Sequence, residues 1–189
     1  AHLSDTNLTT VNLKGAILSG ADLRNVSLTG VDLCGVNLTG ANLTGTNLAG
    51  ANLTDTNLSG ADLTHTDLSG ANLAGANLAG ANLTGAHLRQ SNFTGMVLTD
   101  VKLSGVDLTG SNLAGADLTE VNLTGATLIN VDLSGANLSG ANLTDVSLSG
   151  ANLCNVSVIG ADLTGADLTG ASLTGADVTR VNLMGATLS

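Results

Sequence analysis

Residues 71–85 read ANLAG ANLAG ANLTG, three copies of one five-residue unit from Ala71 to Gly85. The same unit runs outward in both directions through all 189 residues without an insertion or deletion. Each unit is written here as i−2, i−1, i, i+1, i+2. The first centre is Leu3 and the last is Leu188, giving 38 units with the last one short. Thirty-five centres are Leu, and the others are Phe93, Val158 and Val178. Position i−2 is Ala twenty times and Val eleven times, with Thr6, Thr46, Thr56, Thr66, Ser91, Ser111 and Met96 as the remainder. Position i−1 is mostly Asn or Asp, position i+1 mostly Thr or Ser, and all 25 glycines fall at i+2.

A large apolar residue every five positions fits neither the 3.6-residue period of a helix nor the two-residue period of a long strand. A short extended piece followed by a turn does fit. Residues i−2 and i then share one face of the extended piece, which is apolar and points inward, and i−1 points outward. Gly at i+2 suits the second central position of a type II turn, where φ is positive. Asp5, Asn25, Asp55, Asp100, Asn130, Asp145 and Asn155 stand in for Gly there, and Asn and Asp tolerate that conformation next best. Thr10, His65, Gln90, Glu120 and Arg180 are expected to take another turn type. One unit cannot bury its own Leu, so the units must stack. Each buried Leu contributes roughly 1.5–3 kcal/mol against a backbone ordering cost of ~1–2 kcal/mol per residue.

Composition agrees with such an array. There is no Pro, Trp or Tyr and a single Phe, so the core is built from many small equal parts. The net charge of −10, fifteen acids against five bases, disfavours nonspecific binding to a phosphate backbone. No apolar run is long enough to span a bilayer, and no signal-peptide pattern is present. The chain begins with Ala rather than Met. The compartment stays open between the cytoplasm, which is favoured, and export with a leader removed.

The pattern A(D/N)LXX, read from Ala1 to Ser189, resembles the pentapeptide-repeat family, in the form abundant in cyanobacteria. That resemblance implies an all-β fold, a right-handed quadrilateral parallel β-helix with four pentapeptides per coil. Residues 1–189 would then form a single domain of about nine and a half coils, roughly 45 Å long at strand spacing. No capping helix is recognisable. Four units per coil sort the charges onto four faces. Face one carries Asp5, Asp22, Asp62, Asp145 and Asp162 against Arg24 and Lys102. Face two carries Asp67, Asp107 and Asp167 against Arg89, and face three Asp32, Asp55 and Asp132 against Lys14. Face four carries Asp100, Asp117, Glu120 and Asp177 against Arg180. The acid is spread evenly.

No catalytic, cofactor or metal residues are expected. Cys34 and Cys154 fall six coils apart, ~29 Å at strand spacing, too far for a disulfide. His2, His65 and His87 lie in different coils or faces, whereas a metal needs three or four convergent ligands. A Leu-filled axis leaves no pocket in which a nucleophile could meet its base. Triplets such as Asn7-Leu8-Thr9 match a glycosylation acceptor, but the repeat writes them automatically.

One coil departs from the pattern: Ala81 to Asp100, ANLTG AHLRQ SNFTG MVLTD. Three readings stay open for it. Phe93, Ser91 and Met96 are a local repacking; or the coil is a seam between two joined shorter chains; or His87, Arg89, Gln90, Phe93, Met96, Val97, Asp100 and Lys102 form an interaction patch. Outward Ile17, Ile129, Ile159 and Met184 are scattered singly and need no explanation.

Three functions are weighed. A non-catalytic scaffold would present flat polar faces to a protein partner. Uncapped strand edges at the two ends would support end-to-end self-assembly into homo-oligomers. DNA mimicry directed at gyrase, known in some members of the family, fits the negative charge. It fits poorly with the even spread of acid, the Leu rather than Phe-rich centres and the lack of a C-terminal dimerisation helix. Neither nucleic-acid binding nor membrane insertion is expected.

Overall fold

The structure, a computed structural model, describes residues 2–188. Every unit is one short extended piece and one turn. The i−1 residues form single parallel bridges to residues twenty positions on: Asp22 to Asn42, Asn42 to Asp62, Asp62 to Asn82. The chain therefore passes through four units before returning above its starting point, and the result is a β-solenoid. Faces one to four are the units centred on Leu3, Leu8, Leu13 and Leu18 and on every twentieth residue beyond each.

A regular rung makes three bonds to the next. The rung centred on Leu123 shows them: Leu123 N–H to Asn142 C=O at 2.9 Å, Gly125 N–H to Thr144 C=O at 3.0 Å, and Asn142 N–H to Val121 C=O at 2.9 Å. From Leu8 onward each corner is closed by a fourth, from the i−2 amide of the next unit to the carbonyl of i, as from Ala136 to Leu133 at 3.0 Å.

All 25 glycines at the corners have φ between 61° and 73°. The expectation for the non-glycine corners needs two corrections. His65, Gln90, Glu120 and Arg180 adopt φ of 56–59° like their glycine counterparts, rather than a different turn. Asp100, expected among the left-handed corners, is not one of the positive-φ residues. Thr10 also departs from positive φ, as expected, because a β-branched side chain is costly there. The ladder evidently imposes the corner conformation, at ~1–2 kcal/mol for an ordinary L-residue.

The axis is filled by the centres. From Leu18 to Leu168 they are at most 8% exposed, and most are fully buried. The i−2 residues pack beside them. The hydroxyls at this inner position are not idle. Thr46, Thr56, Thr66, Ser91 and Ser111 are buried, and each donates to the carbonyl of a centre 23 residues earlier: Leu23 at 2.6 Å, Leu33 at 2.8 Å, Leu43 at 3.0 Å, Leu68 at 2.8 Å and Leu88 at 2.7 Å. Those carbonyls already accept a corner amide, so the hydroxyl occupies their second lone pair. This is why a polar residue is tolerated in the interior.

The core thins toward both ends. Leu3, Leu8 and Leu13 are only partly buried, and Val178, Leu183 and Leu188 are 48%, 36% and 59% exposed.

Candidate functional surface

The outward side chains form a hydrogen-bonded lattice rather than a set of free groups. At i−1, the Asn or Asp Oδ1 accepts the backbone N–H of i+1, as from Thr144 to Asn142 at 3.0 Å. Where i+1 is Thr or Ser, its hydroxyl often donates to the same oxygen, as from Thr144 Oγ1 at 2.7 Å. Some Asn side chains also reach the coil below. Asn52 Nδ2 donates to Asp32 at 2.9 Å, Asn92 Nδ2 to Asn72 at 2.9 Å, and Asn152 Nδ2 to Asp132 at 2.9 Å, all on face three. The sequence shows i−1 as polar and outward; it does not announce this role, although Asn/Asp two residues before Thr/Ser is the usual signature of such a turn.

The lattice holds several carboxylates in the charged form. The Thr64, Thr164, Thr169 and Thr179 hydroxyls pull Asp62, Asp162, Asp167 and Asp177 below the ordinary carboxylate range. Arg24 bonds Asp22 through two nitrogens, each at 2.8 Å, and lowers it to about 2. Burial works against ionisation at Asp107, but the Thr109 hydroxyl and amide, with Arg89 at 3.4 Å, outweigh it. Among the described residues no group of three His, Cys, Asp or Glu side chains converges in a metal-like cluster, and both cysteines are free.

The eight residues singled out in the irregular coil do not form one surface. Phe93 and Met96 are 1% and 3% exposed and belong to the core, so they cannot touch a partner directly. His87, Arg89 and Gln90 are exposed on face two, where Arg89 pairs with Asp107. Val97 and Asp100 are exposed two turns of the chain further on, on face four, and Lys102 follows on face one. The structure does gather this second group. Val97 and Asp100 line a cleft of about 310 Å³ with Ala76, Asn77 and Ala79. Asp100 and Lys102 line a shallower, adjoining one of about 500 Å³ with Thr84, Ser104 and Glu120.

A β-solenoid of registered five-residue units defines a class of repeat protein, and the comparisons name it. The family described as pentapeptide repeats matches in eight copies between residues 1 and 189, and the chain belongs to that family. A search of the curated proteins finds no match. Among solved structures, the chain is 35% identical to HetL, a pentapeptide repeat protein involved in heterocyst differentiation regulation from the cyanobacterium Nostoc sp. strain PCC 7120. That match covers 97% of this chain and 87% of HetL, with a TM-score of 0.42. It is 32% identical to Rfr23 from the cyanobacterium Cyanothece 51142, over 57% of this chain and 84% of Rfr23, with a TM-score of 0.48. A trypsin-treated form of QnrB1, a plasmid-mediated fluoroquinolone resistance protein, is 22% identical over 100% of this chain and 91% of its own, with a TM-score of 0.57. At that identity QnrB1 supports the fold alone. No helix among the described residues is long and apolar enough to cross a membrane.

Proposed function

We propose that this chain is a non-catalytic scaffold that offers its polar solenoid faces to a protein partner. The observation that carries the reading is the side-chain lattice. Asn, Asp, Thr and Ser groups are fixed by bonds to their own backbone and to the next coil. A surface ordered before binding loses less conformational freedom on binding. The finer geometry belongs to the same reading: a right-handed, four-sided coil of about nine and a half turns, at ~4.8 Å per turn. The test is capture from the native host on the immobilised rod, beside a rod with residues 86–102 reverted to the ANLTG unit. Partners retained by the native rod and lost from one with charged substitutions along a single face support the reading. Absence of any retained protein overturns it. Identical retention by the reverted rod removes the irregular coil as the contact.

End-to-end assembly through strand edges is a second reading. Light scattering against concentration decides it, since a strictly monomeric rod at high concentration would eliminate it. DNA mimicry is the weakest, because the twenty-residue register distributes the carboxylates over every face. Loss of gyrase supercoiling at micromolar protein would restore it.

A further inference from the structure

The ladder is interrupted most widely at one boundary inside the rod. Smaller gaps lie on face three of the first coil, at the Leu13, Gly15 and Asp32 amides, and on face one just above the boundary, at the Leu103 and Asn122 amides. On faces four and one, the units 76–85 should pair with 96–105. None of the six amides that regular rungs would bond there has a backbone partner: Leu78, Gly80, Leu83, Gly85, Val97 and Lys102. The Asn77–Val97 bridge is missing and only a loose Asn82–Lys102 bridge remains. The two clefts described above lie along this line. Ala76 on its edge is 9% exposed, whereas Ala61, Ala71 and Ala81 are each 1%.

The same boundary keeps most of its bonds on the other side, where only the Gly75 and Asp107 amides lack their ladder partner. On face three, Leu73 N–H reaches Asn92 C=O at 2.9 Å and Asn92 N–H reaches Ala71 C=O at 2.9 Å. On face two, Leu88 N–H reaches Asp107 C=O at 3.3 Å, Gln90 N–H reaches Thr109 C=O at 3.0 Å, and Arg89 pairs with Asp107. The opening is therefore wedge-shaped, held by two of three bonds on each of faces two and three and by none on faces four and one.

The residues particular to this boundary point to its cause. Val97 and Lys102 lack the oxygen that i−1 normally supplies, but Ile17 lacks it too, and its rung to Asn37 is bonded in both directions. Val at i−2, as in Val101, is compatible with the intact rungs beneath Val131 and Val146. What no other coil holds is Phe93 on the axis and Met96 at an inner position otherwise filled by Ala, Val, Thr or Ser. Both are buried. Extra volume in a packed core must be relieved by displacement. Above Met96 the ladder keeps Leu98 N–H on Asp117 C=O and Asp117 N–H on Met96 C=O, each at 2.8 Å, and lacks only the bond from Asp100 N–H. The displacement is thus taken up below it, against Ala76.

We infer that this boundary is a joint: two stiff stacks that bend about faces two and three, with faces four and one opening and closing under the wedge of Phe93 and Met96. A partner lying along face four or one would meet a surface of adjustable curvature, while faces two and three keep a fixed spacing.

The test compares matched distances in the full chain. Spin labels at positions 59 and 139 lie on face four, and labels at 69 and 149 lie on face two. Both pairs are eighty residues apart at i+1 and span the boundary, with Cys34→Ser and Cys154→Ser in the background. The face-four distance distribution is expected to be at least twofold broader than the face-two distribution. Hydrogen exchange supplies an independent readout. Amides Leu78, Leu83 and Gly85 should exchange at least ~100-fold faster than their counterparts forty residues on, Leu118, Leu123 and Gly125. Phe93→Leu with Met96→Ala should slow the first group at least tenfold and narrow the face-four distribution. Equal widths on the two faces in the native chain overturn the joint. Unchanged exchange in a folded double variant overturns the wedge as its cause.

Discussion

At the residue scale, the corner decides what may stand where. A side chain at one corner leans onto the next corner above it. A Cβ on Gly45 would lie 2.5 Å from Asn25 Oδ1, and one on Gly85 would lie 2.5 Å from His65 Nδ1. Gly115 has the same positive φ but open space around it. Gly115→Ala should therefore cost only the left-handed penalty, about 1 kcal/mol. Gly45→Ala should cost more, roughly twice that, because the Asn25 side chain must also move. Paired thermal melts separate the two, and equal losses would mean that the corners do not communicate. Conversely, Gln90→Gly and Glu120→Gly relieve a strained corner and should each stabilise by several tenths of a kcal/mol, after the entropy of the added glycine is subtracted.

At the scale of the rung, stability comes from the axial Leu and from the side-chain cap on each extended piece. Leu143 is fully buried between coils, whereas Leu188 is 59% exposed. Leu143→Ala should cost about 2–5 kcal/mol and Leu188→Ala less than about 1 kcal/mol, as read from denaturant midpoints. Asn142→Ala removes the acceptor for both Thr144 N–H and Thr144 Oγ1 and should cost about 0.5–1.5 kcal/mol. The five-residue rung was legible in the sequence because inward and outward positions differ sharply in polarity. The number of units per coil was not, since every unit carries the same pattern whichever face it occupies. The register came from the family resemblance and is seen directly in the twenty-residue bridges. The buried hydroxyls at i−2 were equally silent, because their acceptors lie 23 residues back. The irregular coil was visible by composition, yet its residues were grouped by proximity along the chain. The fold sends them to four different faces and keeps Phe93 and Met96 inside.

At the scale of the whole molecule, the lattice couples stability to acid. Asp22, Asp62, Asp107, Asp162, Asp167 and Asp177 all titrate lower in the folded chain than free Asp does. The unfolded chain, with Asp near ~3.9, takes up protons first as pH falls. The contribution of these groups is thus fully present above about pH 5 and drains away from ~4 downward. For Asp22 it is gone only when pH passes below its folded value of about 2. Melting temperature should be flat from pH 7 to 5 and fall steadily below 4. Asp62→Asn should shrink that fall, and an unchanged slope in this variant would separate the carboxylate lattice from acid sensitivity.

The leaning corner side chains also constrain how such a chain can be lengthened or shortened. Asn25, Asp55, His65, Asn130, Asp145 and Asn155 each sit beneath a glycine twenty residues later. Excising one pentapeptide leaves every Leu pointing at the axis but re-pairs the corners that straddle the cut, which at some positions sets one bulky corner on another, as Gln90 on His65 or Asp145 on Glu120. Removal of a full twenty residues keeps each column in step. Evolution by slippage in this rod therefore has a preferred stride, and it is the circumference of the coil rather than the length of the repeat.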